Sequence, residues 1–109
     1  MKPALDYIES RFAHSISLKE LSTLSNISPF YFSRYFKKAT GVTLTGYIHS
    51  TRINKAKQML ISEPFTITEI AEKTGFCDVH YFGRVFRAWT GVAPTTYRNE
   101  IARHGTERQ

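Results

Sequence analysis

Apolar residues recur along this chain at helical spacing, in short blocks that come in two matched sets. The most marked blocks are aromatic. At about 100° per residue, Tyr31, Phe32, Tyr35, Phe36 and Ala39 gather on one side of a helix, and Phe30, Ser33, Arg34 and Lys37 on the other. Later in the chain Tyr81, Phe82, Val85, Phe86 and Trp89 gather on one side, and His80, Gly83, Arg84 and Arg87 on the other. The pattern predicts two amphipathic helices whose aromatic stripes are core and whose polar stripes face out. A shorter apolar stripe precedes each: Leu18, Leu21 and Leu24, then Ile67, Ile70 and Ala71. Between the two sets, residues 43–62 carry one proline-free helical pattern through Leu44, Tyr47, Ile48, Ala56, Met59 and Leu60, and Pro64 ends it. Outer helices over about Pro3 to Ala13, and from Ala93 or Pro94 to about Arg103, complete an expected all-α fold of seven helices.

The two sets are copies of one another. Residues 31–47, YFSRYFKKATGVTLTGY, and 81–97, YFGRVFRAWTGVAPTTY, are identical at nine of seventeen positions, including Arg34/Arg84, Phe36/Phe86, Thr40/Thr90 and Gly41/Gly91. Upstream, residues 17–27 align with 66–76 at an offset of 49 instead of 50, so the second copy carries one extra residue in its turn. Ser17-x-x-Glu20 and Thr66-x-x-Glu69 are both capping boxes, each offering an oxygen to an orphan amide and a carboxylate reaching back. The short helices should stop at Asn26 and Gly75, the two residue types that best tolerate positive φ. Ser28-Pro29 and Asp78 restart the chain as N-caps, and Gly41 and Gly91 stand where the second helices should end. Each copy thus reads as helix, tight turn, helix: about 17–41 for the first, 66–91 for the second, with a linker helix of about 43–62 between them.

Composition narrows the class. A chain of 109 residues allows one domain, or two very small ones sharing a core. With 41% hydrophobic and 22% charged residues it is globular rather than disordered. One cysteine excludes an internal disulfide framework. No apolar run approaches the roughly 20 residues of a membrane span, and no secretion-type leader opens the chain, so a reducing cytoplasm is the expected compartment.

Charge changes the picture more. Fifteen Lys+Arg against nine Asp+Glu give +6, which points to an acidic partner. From Ser28 to Ser62 there is no acidic residue but six basic ones: Arg34, Lys37, Lys38, Arg52, Lys55 and Lys57. From Val79 to Asn99 there is again no acid, with Arg84, Arg87 and Arg98. Two such windows suit surfaces that approach phosphates without like-charge repulsion. The outward stripe of each second helix sets small residues beside an arginine, which lets the helix come close to another surface, and a major groove about 12 Å wide admits a helix. A linker of about 18–20 residues spans roughly 27–30 Å. Recognition helices entering successive grooves sit about 34 Å apart.

The segments SPFYFSRYFKKATG, TRINKAKQMLI and ITEIAEKTGFCDVHYFGRVFRAWTGVAPTTYR resemble the DNA-binding domain of the AraC/XylS family of bacterial transcription regulators, and the resemblance runs from Ala4 to about Arg98. It implies one AraC-type domain over 1–109, with two tandem helix-turn-helix units on a long central helix. It also implies promoter recognition, most often for activation, with double-stranded DNA and RNA polymerase as partners. By position the family's base-reading residues fall on Phe30, Ser33 and Arg34, and on Val79, His80, Gly83 and Arg84. Lys37, Lys38 and Arg87 are expected at the DNA backbone. Asn26 departs from the glycine usual in the first turn, and Gly83 stands where a hydroxyl residue is common, so no side-chain hydrogen bond is available there. Val79 offers apolar contact alone.

Other chemistry finds no support in the sequence. His14, His49, His80, His104 and Cys77 lack metal-ligand spacing. Cys77 at a helix start reads as a small turn residue. No G-x-S-x-G elbow or Walker loop is present. The expectation is a non-enzyme without cofactor, without a small-molecule pocket and without membrane contact, a single copy of which binds one DNA site. Two alternatives differ in class: a protein-interaction module that docks a partner on Phe30 behind a basic solubilising surface, and a DNA-repair regulator whose catalytic part lies outside this chain. Only Met1 and Lys2 precede Pro3, an opening that favours the DNA-binding part of a longer regulator over a small free-standing one.

Overall fold

The computed structural model describes residues 1–62 and 64–107, with residues 103–107 as backbone alone. The side chains of Glu63, Arg103, His104 and Glu107, which enter the charge and spacing arguments above, lie outside the described part. Among the described residues there are seven α-helices and no strand: α1 (Lys2–Arg11), α2 (Leu18–Leu24), α3 (Pro29–Thr40), α4 (Leu44–Ser62), α5 (Ile67–Lys73), α6 (Val79–Thr90) and α7 (Pro94–Glu107). None of them is long and apolar enough to cross a membrane. The chain divides into two compact units, Met1–Thr51 and Arg52–Gln109, and α4 contributes a different set of residues to each.

In the first unit, Ser17 Oγ accepts the Glu20 N–H at 3.0 Å and opens α2. The exit from α2 is a Schellman turn: the Ile27 N–H bonds to the Ser22 carbonyl and the Asn26 N–H to the Thr23 carbonyl, both at 3.1 Å. The turn needs a left-handed residue, and Asn26 supplies it at φ +58°. Ser28 then caps α3, with Pro29 in its first turn. The core gathers Ala4 and Ile8 of α1, Leu21 of α2, Phe32 and Phe36 of α3, and Ile48 of α4, with Leu44 and Tyr47 packed against it. The Phe36 ring meets the edge of Tyr47 at 5.5 Å.

The second unit repeats this plan with a larger core. Thr66 and Glu69 close a full reciprocal capping box on α5. The exit is again a Schellman turn, Phe76 N–H to the Ala71 carbonyl and Gly75 N–H to the Glu72 carbonyl, with Gly75 at φ +93°. The extra residue of this copy, Cys77, falls in the turn between Phe76 and the Asp78 cap, as expected. Phe76 is buried, whereas its counterpart Ile27 is exposed. Phe76, Phe82 and Phe86 stack in series at 5.2 and 5.7 Å, ending on Tyr97 at 5.5 Å. Ile53, Ala56 and Leu60 of α4 join Ile70, Ala71 and Val85 around them.

One identity of the repeat is explained by its hydroxyl. Thr40 donates to the Phe36 carbonyl at 2.8 Å and accepts the Val42 N–H. Thr90 does the same with Phe86, at 2.8 Å, and Val92. Each threonine thereby ties the valine N–H beyond its helix back to the last turn, across a left-handed Gly41 or Gly91.

The structure corrects the expected inward stripes, which were too broad. Phe32 and Phe36, and Phe82, Val85 and Phe86, are buried, but Tyr31 is 68% exposed, Tyr35 49%, Tyr81 41% and Trp89 47%, and Ala39 is exposed too. A helix packed on one side buries an arc of about 100°, and phenylalanines one turn apart fill it. Tyr31, Tyr35 and Tyr81 lie on the flank, with much of each side chain at the surface. Ala39 and Trp89 lie on the buried side but near the end of the helix, past the core. Helix α7 also runs further than expected, to Glu107.

Two outcomes follow for stability. Phe86→Ala should cost about 3–5 kcal/mol and Tyr35→Ala within about 0.5 kcal/mol; equal shifts in denaturant midpoint would refute this assignment of faces. The second concerns acid. The Thr66 N–H and hydroxyl hold the Glu69 carboxyl below its ordinary value, and the Tyr7 hydroxyl, at 2.7 Å, and Ser17 do the same for Glu20. Because both folded values are lowered, this contribution is complete above the unfolded carboxylate value of about 4.3 and is lost as pH falls through the folded values. The melting temperature should therefore drop on acidification from about pH 5 to 3, and less so in Glu69→Gln. An identical drop in that variant would contradict the assignment.

Candidate nucleic-acid interface

The outer face of α3 is built from its first turn onward. The Ser28 hydroxyl accepts the Tyr31 N–H, and this fixes where the helix begins. Phe32 and Phe36 then anchor it, leaving Phe30, Ser33, Arg34, Lys37 and Lys38 exposed. Phe30, 64% exposed, is too open to be a core residue. The Arg34 guanidinium lies 5.5 Å from the centre of its ring, and Tyr31 meets that ring edge-on at 5.6 Å. An open concavity of about 820 Å³ runs beside the helix, lined by Ile27, Tyr31, Ser33, Arg34, Tyr35, Lys37 and Lys38. Its lining is apolar and cationic, without a carboxylate.

Helix α6 presents the same arrangement with different side chains. Asp78 caps it by accepting the His80 N–H at 2.7 Å. His80, Arg84 and Arg87 are exposed. Val79 is half-buried against the core of its unit, so little of its side chain is left for an outside contact. A Cβ at Gly83 would meet nothing within 4 Å. No internal packing therefore demands glycine there, and the bare backbone leaves room for another surface to approach. The Arg84 guanidinium lies 5.8 Å from the ring centre of Tyr81.

The structure separates the basic residues of the two acid-free windows by role. Among the described residues, Lys37, Lys38 and Arg87 are exposed and form no ion pair. Arg52 is instead half-buried, its guanidinium 5.7 Å from the Phe76 ring centre, and burial pulls its pKa down from the ordinary value. Arg98 turns inward and donates from Nε to the Leu60 carbonyl at 3.0 Å, closing one of the orphan carbonyls at the end of α4. These two arginines serve the second unit's own structure. Lys37, Lys38 and Arg87 can meet phosphates, and the exposed Arg34 and Arg84 can also make two parallel hydrogen bonds to a flat acceptor edge. Among the described residues no three His, Cys, Asp or Glu side chains come together as a metal site would need.

Each unit thus brings its own expected residues onto one helix: Phe30, Ser33, Arg34, Lys37 and Lys38 on α3, and Val79, His80, Gly83, Arg84 and Arg87 on α6. What sequence reasoning missed is the aromatic surround of the two arginines. Tyr31 and Tyr81 were placed in the core, yet they stand beside Phe30 and Arg84 at the surface. The available signal was spacing: an arginine three or four residues after an aromatic shares a helix face with it.

Comparison with known proteins agrees with this architecture. Residues 21–100 match a family described as a helix-turn-helix domain. The regulatory protein PocR of Salmonella typhimurium is 34% identical over 101 residues, which are 93% of this chain and 33% of PocR. The HTH-type transcriptional activator Btr of Bacillus subtilis is 41% identical over 103 residues, 91% of this chain and 20% of Btr. The chain therefore spans between a fifth and a third of the length of these two relatives. The DNA-binding domain of the global transcriptional factor AdpA, crystallised with a target DNA, has the same fold, with a TM-score of 0.90 at 19% identity over 94% of this chain and 93% of that one. With its sequence match over residues 21–100, its repeated helix-turn-helix units and these relatives, the chain belongs to the AraC/XylS type of helix-turn-helix domains.

Proposed function

We propose that this chain binds double-stranded DNA sequence-specifically to regulate transcription, with α3 and α6 each laid in a major groove. The observation that carries the reading is a repeated one: two helices held by the same pair of phenylalanines, each turning an arginine outward in a stretch free of carboxylates. Membership of the family supports it, as does the DNA-bound crystal structure of AdpA. Btr is named as an activator, and activation is the mode we assign to this chain, with RNA polymerase as its partner and the cytoplasm as its compartment.

In this reading Arg34 and Arg84 each pair with guanine O6 and N7. Ser33 and His80 hydrogen-bond base edges beside them. Phe30 and the exposed part of Val79 make apolar contact, for instance with a thymine methyl, and Gly83 admits the groove wall. Lys37, Lys38 and Arg87 hold phosphates. A single chain occupies one site without a palindrome, its two units in successive grooves.

Base reading and phosphate holding respond differently to substitution. Arg34→Ala should weaken the best site by about 1–3 kcal/mol and relax base choice in one half of it, and Arg84→Ala should do so in the other half. Lys38→Ala should weaken all sequences alike and lower the slope of log K against log salt by about one unit or less. Binding measured across a randomised duplex separates the two. Uniform loss for every sequence in both arginine variants would refute the base-reading roles.

A further inference from the structure

We infer that Tyr81 is a positioning residue for Arg84, and that its attachment to the core makes the second helix-turn-helix the stricter reader of the two. The inference rests on the reading of Arg34 and Arg84 given above and adds to it what holds each arginine before DNA arrives.

The two arginines occupy equivalent positions of the repeat but are braced differently. Arg34 lies over Phe30, four residues before it. The residue four before Arg84 is His80, and the guanidinium lies over Tyr81 instead, three residues before it. Both spacings place the aromatic on the arginine's own helix face. A guanidinium over an aromatic face is attracted by the negative ring face and keeps its N–H edge free for a flat acceptor.

The difference lies behind the brace. In the first unit Phe30 rests edge-on against Tyr31, and both are largely exposed, so neither ring is tied to the core. In the second unit Tyr81 meets Phe76 at 5.9 Å with the rings at 60°. Phe76 is buried and packs on Phe82, itself buried. The chain of contacts Phe82–Phe76–Tyr81–Arg84 therefore runs from the core to the surface. An arginine with few rotamers left loses less freedom when it binds, and its alternatives to the correct base are fewer. The first copy lacks this link, because Ile27 stands exposed where Phe76 is buried.

The test is base preference on duplexes varied at the base pairs that depend on Arg34 and on Arg84, with Arg34→Ala and Arg84→Ala defining those pairs. In the unmodified chain, discrimination should be steeper at the Arg84 pair. Tyr81→Leu keeps an apolar side chain against Phe76 and removes the ring face, and Tyr81→Phe keeps the ring. Discrimination at the Arg84 pair should fall roughly two- to fivefold in Tyr81→Leu, in line with the loss of an exposed cation–π contact. It should be unchanged at the Arg34 pair and restored in Tyr81→Phe. In an Arg84→Ala background Tyr81→Leu should alter base preference no further. Full discrimination in Tyr81→Leu, while Arg84→Ala has lost it, would overturn the brace and leave the base-reading role standing. If Arg84→Ala itself leaves base preference untouched, both fall.

Discussion

Two phenylalanines one helical turn apart hold each of the helices α3 and α6, and everything on their outer faces depends on that narrow hold. Phe32 and Phe36, and Phe82 and Phe86, are fully buried. Because the hold takes up so small an arc, the remaining circumference of each helix is free. In a broader core the flanking tyrosines would be consumed by packing. Here Tyr31, Tyr35 and Tyr81 remain at the surface and become part of what the helix presents. The threonine and glycine that follow each phenylalanine pair stop the helix at the same length in both copies. The repeat therefore preserves a register as well as a fold: an arginine emerges two residues after the first anchoring phenylalanine in each copy.

Much of this was legible in the sequence, because it is set locally. Caps at Ser17, Ser28, Thr66 and Asp78, left-handed turns at Asn26 and Gly75, and stops at Gly41 and Gly91 are chemistry of a few neighbouring residues and are found as read, except that the box at Ser17 is half made, because the Glu20 carboxylate accepts from the Tyr7 and Ser17 hydroxyls instead of reaching back to the Ser17 N–H. The placement of the outward arginines was legible for the same reason, since the phenylalanine period fixes it. What was not legible depends on distant parts of the chain. The aromatic stripes looked wide because hydrophobicity alone cannot tell a tyrosine in a core from one at its rim. Arg52 and Arg98 looked like free cations, yet one lies against Phe76 and the other closes a carbonyl 38 residues away in sequence. The acid-free windows were thus read correctly as patterns, while two of their arginines have internal tasks.

The two copies are unequal in a way that matters for their use. The first unit offers an exposed aromatic pair, two lysines and an open concavity beside α3. The second offers a bare Gly83, a histidine and an arginine braced from the core. Two copies that differ this way on their outer faces are suited to reading two unlike stretches of bases, whereas two equal copies would suit a direct repeat.

That inequality is most directly tested by selecting bound sequences from random duplexes with the 109-residue chain, and by counting chains per duplex on the sequences recovered. The account predicts two unlike stretches of preferred bases about one helical turn apart, no inverted repeat, and one chain per duplex. Recovery of an inverted repeat occupied by two chains, or of no preferred sequence at all, would contradict it.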